Sequence, residues 1–151
     1  MAENKVANFT ALANGDKTIS LADLKGKVVV LYFYPKDATP GCTTEAQQFR
    51  DLHAKFVKTG AVILGVSRDS IKSHENFKTK MGLPFDLLSD PDEVLCEQFG
   101  VMKMKNMYGK QVRGIERSTF LLDDKGVLRQ EWRGVKVDGH AEAVLKAVQE
   151  L

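Results

Sequence analysis

Cys42 closes the segment Pro35-Lys36-Asp37-Ala38-Thr39-Pro40-Gly41-Cys42, where two prolines and a glycine restrict the backbone as a preorganised site requires. A strand-like run precedes this segment and a helix-like run follows it, which puts the thiol in a helical first turn. Unpaired N–H groups and the macrodipole favour an anion there, and the thiolate is the nucleophilic form of cysteine. Thr39, three residues earlier, brings a hydroxyl toward the same pocket, and Pro35 is placed to shield that pocket from water. Arg117 opens a second apolar strand; a guanidinium near Cys42 would favour the thiolate and then stabilise oxygen charge in a transition state. Read from the residues alone, however, Arg117 fits a surface arginine at a strand end better. Glu45, one turn into the Cys42 helix, would orient such an arginine through a bidentate pair, or is an ordinary acidic residue of a first helical turn.

The elements that must position these groups follow from periodicity. Val28 to Tyr34 is continuous and apolar, as a strand covered on both faces should be. Thr43 to about Lys58 lines up Ala46, Phe49, Leu52 and Phe56 on one helical stripe. A hairpin is expected from Phe9 to Leu12 and Thr18 to Leu21 around Asn14-Gly15-Asp16. Ala61 to Ser67 reads as a second buried strand, Ile71 to Met81 as a polar helix, Pro84 to Leu88 as a short extended piece and Glu93 to Phe99 as a short helix. Thr119 to Asp123 and Val127 to Trp132 form a hairpin through Asp124-Lys125-Gly126, and a final helix runs from about Gly139 to Glu150 with Asp138 as its N-cap. The stretch from Met102 to Gly114 reads as the least regular loop. The order implies one α/β domain over residues 1–151, a sandwich around a mixed sheet.

The remaining features mostly exclude. With 22 basic and 20 acidic residues the net charge is +2 and no basic patch stands out, which argues against nucleic acid as a partner. The polar start Met1-Ala2-Glu3-Asn4-Lys5 and the lack of a membrane-length apolar run point to the cytoplasm. The two cysteines, 54 positions apart (96 minus 42), make neither a disulfide framework nor a metal cluster. Cys42 has no Cys-x-x-Cys partner, which disfavours a thioredoxin-type oxidoreductase, and nothing marks a client surface for an oxidation-triggered holdase. His53 lies too far along its helix to serve Cys42 as a base; His74 and His140 read as structural or exposed, so a cysteine-protease dyad loses. Cys96, between Leu95 and the nearby Phe99, reads as a packed thiol in preference to a resolving cysteine.

The spacing Pro35-x-x-x-Thr39-x-x-Cys42 resembles the peroxiredoxin signature. The fuller stretch Phe33 to Glu45 is similar to the bacterioferritin comigratory protein (peroxiredoxin Q) branch, and the agreement continues through Gly65 to Ser70, Leu88-Ser89-Asp90, Phe99-Gly100-Val101 and Gly114 to Leu121. The resemblance implies a thioredoxin-like fold and thiol-dependent reduction of hydrogen peroxide and organic hydroperoxides, without metal or bound cofactor. It matches Cys42 to the peroxidatic cysteine, Thr39 to the peroxide-binding hydroxyl, Pro35 to the shielding proline, Arg117 to the active-site arginine and Glu45 to the residue orienting it. Thioredoxin, glutaredoxin or a small thiol is the implied reductant, and a monomer the implied state. The sequence departs from the branch where resolving cysteines are usual: Gln47 stands at one such position, and no cysteine lies around Lys78 at the other. The expectation is a 1-Cys cycle, with a Cys42–Cys96 disulfide as the alternative. Ala7 replaces a usual proline, without expected catalytic effect.

Overall fold

The computed structural model describes residues 5–151; the polar residues 1–4 lie outside it. Among the described residues, nine strands and four α-helices run in the order β1 (Thr10–Ala13), β2 (Lys17–Ser20), β3 (Val28–Phe33), α1 (Pro40–Lys58), β4 (Ala61–Ser67), α2 (Ile71–Met81), β5 (Asp86–Ser89), α3 (Val94–Gln98), β6 (Met102–Met107), β7 (Lys110–Ile115), β8 (Ser118–Leu122), β9 (Leu128–Arg133) and α4 (His140–Gln149). Seven strands form one sheet in the order β2-β1-β5-β4-β3-β8-β9. The central strands β3, β4 and β5 are parallel, while β1, β8 and β9 join antiparallel. This is the mixed sheet and N-terminal hairpin of the expected thioredoxin-like sandwich, and solved relatives share the fold.

Strand β3 is apolar without alternation because both its faces are covered. Val30, Tyr32 and Tyr34 point into one core with Phe49 and Phe56 of α1, Phe77 of α2 and Val144 of α4. Val29, Leu31 and Phe33 point into the other, with Leu95 and Cys96 of α3, Phe99 and Phe120. Tyr32 stacks on Phe49 at 4.7 Å between ring centroids, which fixes α1 over the end of β3.

The boundaries differ from the sequence reading in three instructive places. Helix α1 begins at Pro40, not Thr43: proline is pre-set for the first helical position, where no N–H partner is needed, so the helix reaches back through Gly41. Helix α4 is capped by Gly139 at φ 72°, leaving Asp138 one residue outside, so the expected Asp138 cap is not used. The stretch expected as an irregular loop is a two-stranded ribbon, β6 paired antiparallel with β7 from Met102↔Ile115 to Met107↔Lys110. It stands apart from the main sheet; Met102-Lys103-Met104-Lys105 does alternate, but apart from Ile115 its described residues are exposed or only partly buried, so the alternation marks no core face.

Candidate active site

The end of β3 delivers the site. Tyr34 still pairs with β4 through its N–H to the Val66 carbonyl at 3.0 Å, and the chain then turns through residues 35–39 into α1. Thr39 is the N-cap of α1, with extended φ −80° and ψ 154°, and its carbonyl accepts the Thr43 N–H at 2.8 Å. Pro40 occupies the first helical position, which places Cys42 in the first turn, as expected.

Arg117 and Cys42 meet in space across 75 residues of sequence. Arg117, at the mouth of β8, sets Nη2 3.4 Å from Cys42 Sγ and Nη1 2.6 Å from Glu45 Oε1. One guanidinium is therefore divided between a thiol and a carboxylate. The Glu45 contact is single, not the bidentate pair expected, because the second guanidinium nitrogen is turned to sulfur; Glu45 Oε2 is buried without a partner among the described residues. Cys42 is 1% exposed and Glu45 fully buried. Burial pushes the Glu45 carboxyl up to about 7, against the pull of Arg117. Burial works against the Arg117 charge as well, but Glu45 and Cys42 hold that group firmly protonated.

Thr39 and Pro35 flank the thiol on the same loop, both half-buried. The Thr39 hydroxyl donates to the Lys36 carbonyl at 2.8 Å and makes no capping bond, so its oxygen keeps lone pairs with which to accept from an incoming O–H. Gly41 supplies a requirement that sequence spacing did not reveal. A Cβ there would lie 3.1 Å from Arg117 Nη2, so the guanidinium reaches the sulfur across a position with no side chain.

Sequence patterns do not point to Lys105, and they read His74 and His140 as structural or exposed; both histidines are buried and structurally bonded. Lys105, on the unexpected ribbon, donates to the Ile115 carbonyl; burial and then the Arg117 charge lower its affinity for its proton. His140 pairs Nε2 with Thr119 Oγ1 at 2.7 Å, and burial, assisted by Arg117, depresses it to about 4, so it stays neutral. His74 is completely buried beneath the Cys42 loop and bonded to Asp37. No local pattern marks either histidine, because their partners are remote in sequence.

Cys96 lies on the far side of the sheet. Cys42 belongs to the core beneath α1 and α4, and Cys96 to the opposite core, so the sheet separates the two thiols. Burial, followed by the neighbouring Asp90 carboxylate, pushes the Cys96 thiol strongly up and keeps it protonated.

A thiol under a shared guanidinium at a helix N-terminus, on a thioredoxin-like sheet, has known counterparts. The model of the AhpC/TSA family matches residues 2–131. The chain belongs to that family. It is 59% identical over 139 residues to the peroxiredoxin Bcp of Xanthomonas campestris, covering 92% of this chain and 86% of the relative. It is 53% identical over 135 residues to the peroxiredoxin Bcp of Bacillus subtilis, covering 89% and 86%. The solved structure of the Xanthomonas campestris bacterioferritin comigratory protein superposes with a TM-score of 0.90 at 56% identity, over 94% of this chain and 90% of that one. A Xylella fastidiosa peroxiredoxin Q mutant gives 0.91 at 43% identity, over 99% and 98%. This peroxiredoxin is therefore an enzyme, a thiol-dependent peroxidase of the bacterioferritin comigratory protein branch.

Proposed function

We propose that this peroxiredoxin reduces hydrogen peroxide and organic hydroperoxides through Cys42 in a 1-Cys cycle, with an external thiol as reductant. The observation carrying the assignment of Cys42 is the Arg117 fork, 3.4 Å from the sulfur and 2.6 Å from Glu45. The alkyl peroxide reduction activity studied for the Xanthomonas campestris structural relative supports the inclusion of organic hydroperoxides.

The Cys42 thiolate attacks the nearer peroxide oxygen in line with the O–O bond. The S–O bond forms as the O–O bond breaks, and the departing oxygen takes up a proton and leaves as water or an alcohol. Arg117 lies beside the sulfur, where it stabilises the charge shifting onto the departing oxygen, and helix N–H groups add to this. Thr39 accepts the peroxide O–H and so aligns it, its own proton being committed to Lys36. Glu45 holds the guanidinium in place, and Pro35 limits water. The product is a Cys42 sulfenic acid. A thiolate then attacks that sulfur and expels hydroxide, which leaves as water after protonation; a second thiol releases Cys42 and carries away the disulfide.

The separation of the two cysteines by the sheet favours an external thiol over Cys96. Thioredoxin, glutaredoxin or a small thiol fills that role for a cytoplasmic monomer in this reading. Treating reduced protein with one equivalent of hydrogen peroxide and a sulfenic-acid trap tests it by intact mass. A trap adduct on Cys42 supports the 1-Cys cycle; a Cys42–Cys96 disulfide in the peptide map refutes it; peroxide consumption that survives Cys42→Ser removes Cys42 from the chemistry.

A further inference from the structure

The β6–β7 ribbon carries charge and apolar surface that the chemistry at Cys42 does not use. From Met102 to Ile115 the chain holds Lys103, Lys105, Lys110 and Arg113 and no acidic residue. Pairing of β6 with β7 sorts these side chains, because alternate residues of a strand point to opposite faces. One face carries Met102, Ile115 and Arg113; the first two join the core shared with α3, and Arg113 is tied to Glu93 and Glu97. The other face carries Lys103 and Lys110, both exposed, with Lys105 and Val112 opposite each other between them. None of these three lysines is ion-paired among the described residues. The next acidic residue along the chain, Glu116, holds its carboxylate beside Gly134.

The lysine face adjoins the Cys42 site. Lys105 donates to the carbonyl of Ile115, two residues before Arg117, and its side chain lies along Gly114. Burial and then the Arg117 charge lower its affinity for its proton while Cys42 opposes them, so the ammonium stands within electrostatic reach of both. At the tip, Tyr108 and Gly109 turn the chain at φ 54° and 82°, the left-handed conformations of a tight hairpin. Asparagine or glycine suits the first of these positions, and a bulky side chain is disfavoured there. Tyr108 is nevertheless 100% exposed, so no described residue covers its ring. Strain without an internal contact to offset it marks a side chain kept for contact outside the chain, and tyrosine is a frequent anchor of interfaces.

Three properties select the occupant. The face is basic, so a partner that complements it is acidic. Six residue pairs span about 17 to 20 Å, against roughly 10 Å for an extended tripeptide, so a folded protein matches the face and a small thiol does not. Whatever sits there also lies beside Cys42, where the cycle requires one visitor larger than a peroxide, the thiol that reduces the sulfenic acid. We propose that this face, Lys103, Lys105, Lys110 and Val112 with Tyr108 at its tip, is the docking surface for the reductant, a folded dithiol protein with acidic residues around its reactive thiols. Docking there rests on the external-thiol reading above. One partner thiolate attacks the Cys42 sulfur, the S–S bond forms as the S–O bond breaks, and hydroxide departs and is protonated to water. The second partner thiolate then attacks the partner's own sulfur in that mixed disulfide, which releases Cys42 as thiolate and the partner as its disulfide. The ribbon steers the encounter and holds the partner through both steps.

Single-turnover reduction of preformed Cys42 sulfenic acid, followed by rapid quench and intact mass, tests this with two reductants: a reduced thioredoxin of net negative charge, and uncharged dithiothreitol. Lys103→Glu/Lys110→Glu should slow the thioredoxin reaction by about tenfold or more at low salt and flatten its decline with added salt, since charge steers the encounter. Tyr108→Ala should slow it several-fold at every salt concentration. Both should leave reduction by dithiothreitol, and oxidation by hydrogen peroxide, within about twofold of wild type, because neither small molecule needs the ribbon. Lys25→Glu/Lys125→Glu makes the same change in net charge at the opposite end of β3 and should leave all three rates near wild type. Thioredoxin rates unchanged in both ribbon variants overturn the docking surface. An equal loss with dithiothreitol also overturns it, by placing the effect at Cys42, and an equal loss in Lys25→Glu/Lys125→Glu does so by making it one of net charge. Sulfenic acid that dithiothreitol reduces and thioredoxin does not would overturn it while leaving the external-thiol cycle standing. A Cys42–Cys96 disulfide formed in place of the sulfenic acid would instead remove the cycle on which the docking rests.

Discussion

Glu45 and Arg117 meet at 2.6 Å, Oε1 against Nη1, with the carboxylate wholly removed from solvent and the guanidinium 16% exposed. A carboxylate in that position neutralises a buried cation and aims it, since the bond to Nη1 leaves Nη2 facing the thiol. The arrangement is charged, dry and incompletely bonded, because Glu45 Oε2 finds no partner among the described residues. Interactions of that kind respond to pH and to small changes in shape.

The pH dependence has a definite sign. Burial raises the Glu45 carboxyl from an ordinary 4.5 to about 7, so the folded state binds its proton more tightly than the unfolded chain does. The stability this contributes is fully present below the unfolded value and is lost as pH rises through about 7. Glu45→Gln cannot titrate and should lose less stability than wild type between acid and alkaline pH. Denaturant unfolding across that range checks it, and parallel curves would refute the assignment. Glu45→Ala should be worse still above about pH 7, by about 3 kcal/mol, because there it removes the carboxylate that pairs a largely buried guanidinium.

Arg117→Ala should slow oxidation of Cys42 by about two orders of magnitude, the loss expected when a donor to developing oxygen charge is removed. Arg117→Lys should recover only part of this, since one ammonium cannot divide itself between Sγ and Oε1 as the fork does. Stopped-flow oxidation rates separate the two, and an unchanged rate in Arg117→Ala would place Arg117 outside the chemistry.

Gly41→Ala should separate activity from stability. The added Cβ lies 3.1 Å from Arg117 Nη2, so the guanidinium must give by a few tenths of an ångström. Alanine is the better helix former by about 1 kcal/mol, and Gly41 has an ordinary helical backbone, so the melting temperature should hold or rise. Oxidation should fall several-fold. A variant as fast as wild type would show that the Arg117 distance is not critical.

Cys96→Ala should leave dithiothreitol-driven peroxide turnover within about twofold of wild type, because the thiol is on the other side of the sheet, and should cost about 1 kcal/mol in stability for the lost packing. Turnover assays and denaturant unfolding read the two effects. Collapse of turnover would revive the disulfide alternative.

What could be read from the chain alone was whatever is encoded locally. The unbroken apolar run of β3 and the stripe of Ala46, Phe49 and Phe56 on α1 reflect burial periodicity within a few residues, and Cys42 sits at their junction. The β6–β7 ribbon was not legible because its strands are mostly exposed and, of their described residues, pack only Met102 and Ile115 against the core, so the short Met-Lys alternation of β6 marks no buried face. The Asp138 cap failed because a glycine one residue later takes the left-handed turn more easily than any other residue.

By itself, then, the sequence determined the sheet, the helix and the thiol at its start, since strand and helix periods and the prolines of the loop act over neighbouring residues. The family resemblance named Arg117 and Glu45; only the tertiary structure decided how they share one guanidinium with Cys42, why position 41 must be small, and that His74 underpins the loop through Asp37. It also decided that Cys42 and Cys96 face opposite cores. Those relationships join residues far apart in sequence, and their energies depend on distance and burial, which exist only once the sheet has brought its strand ends together.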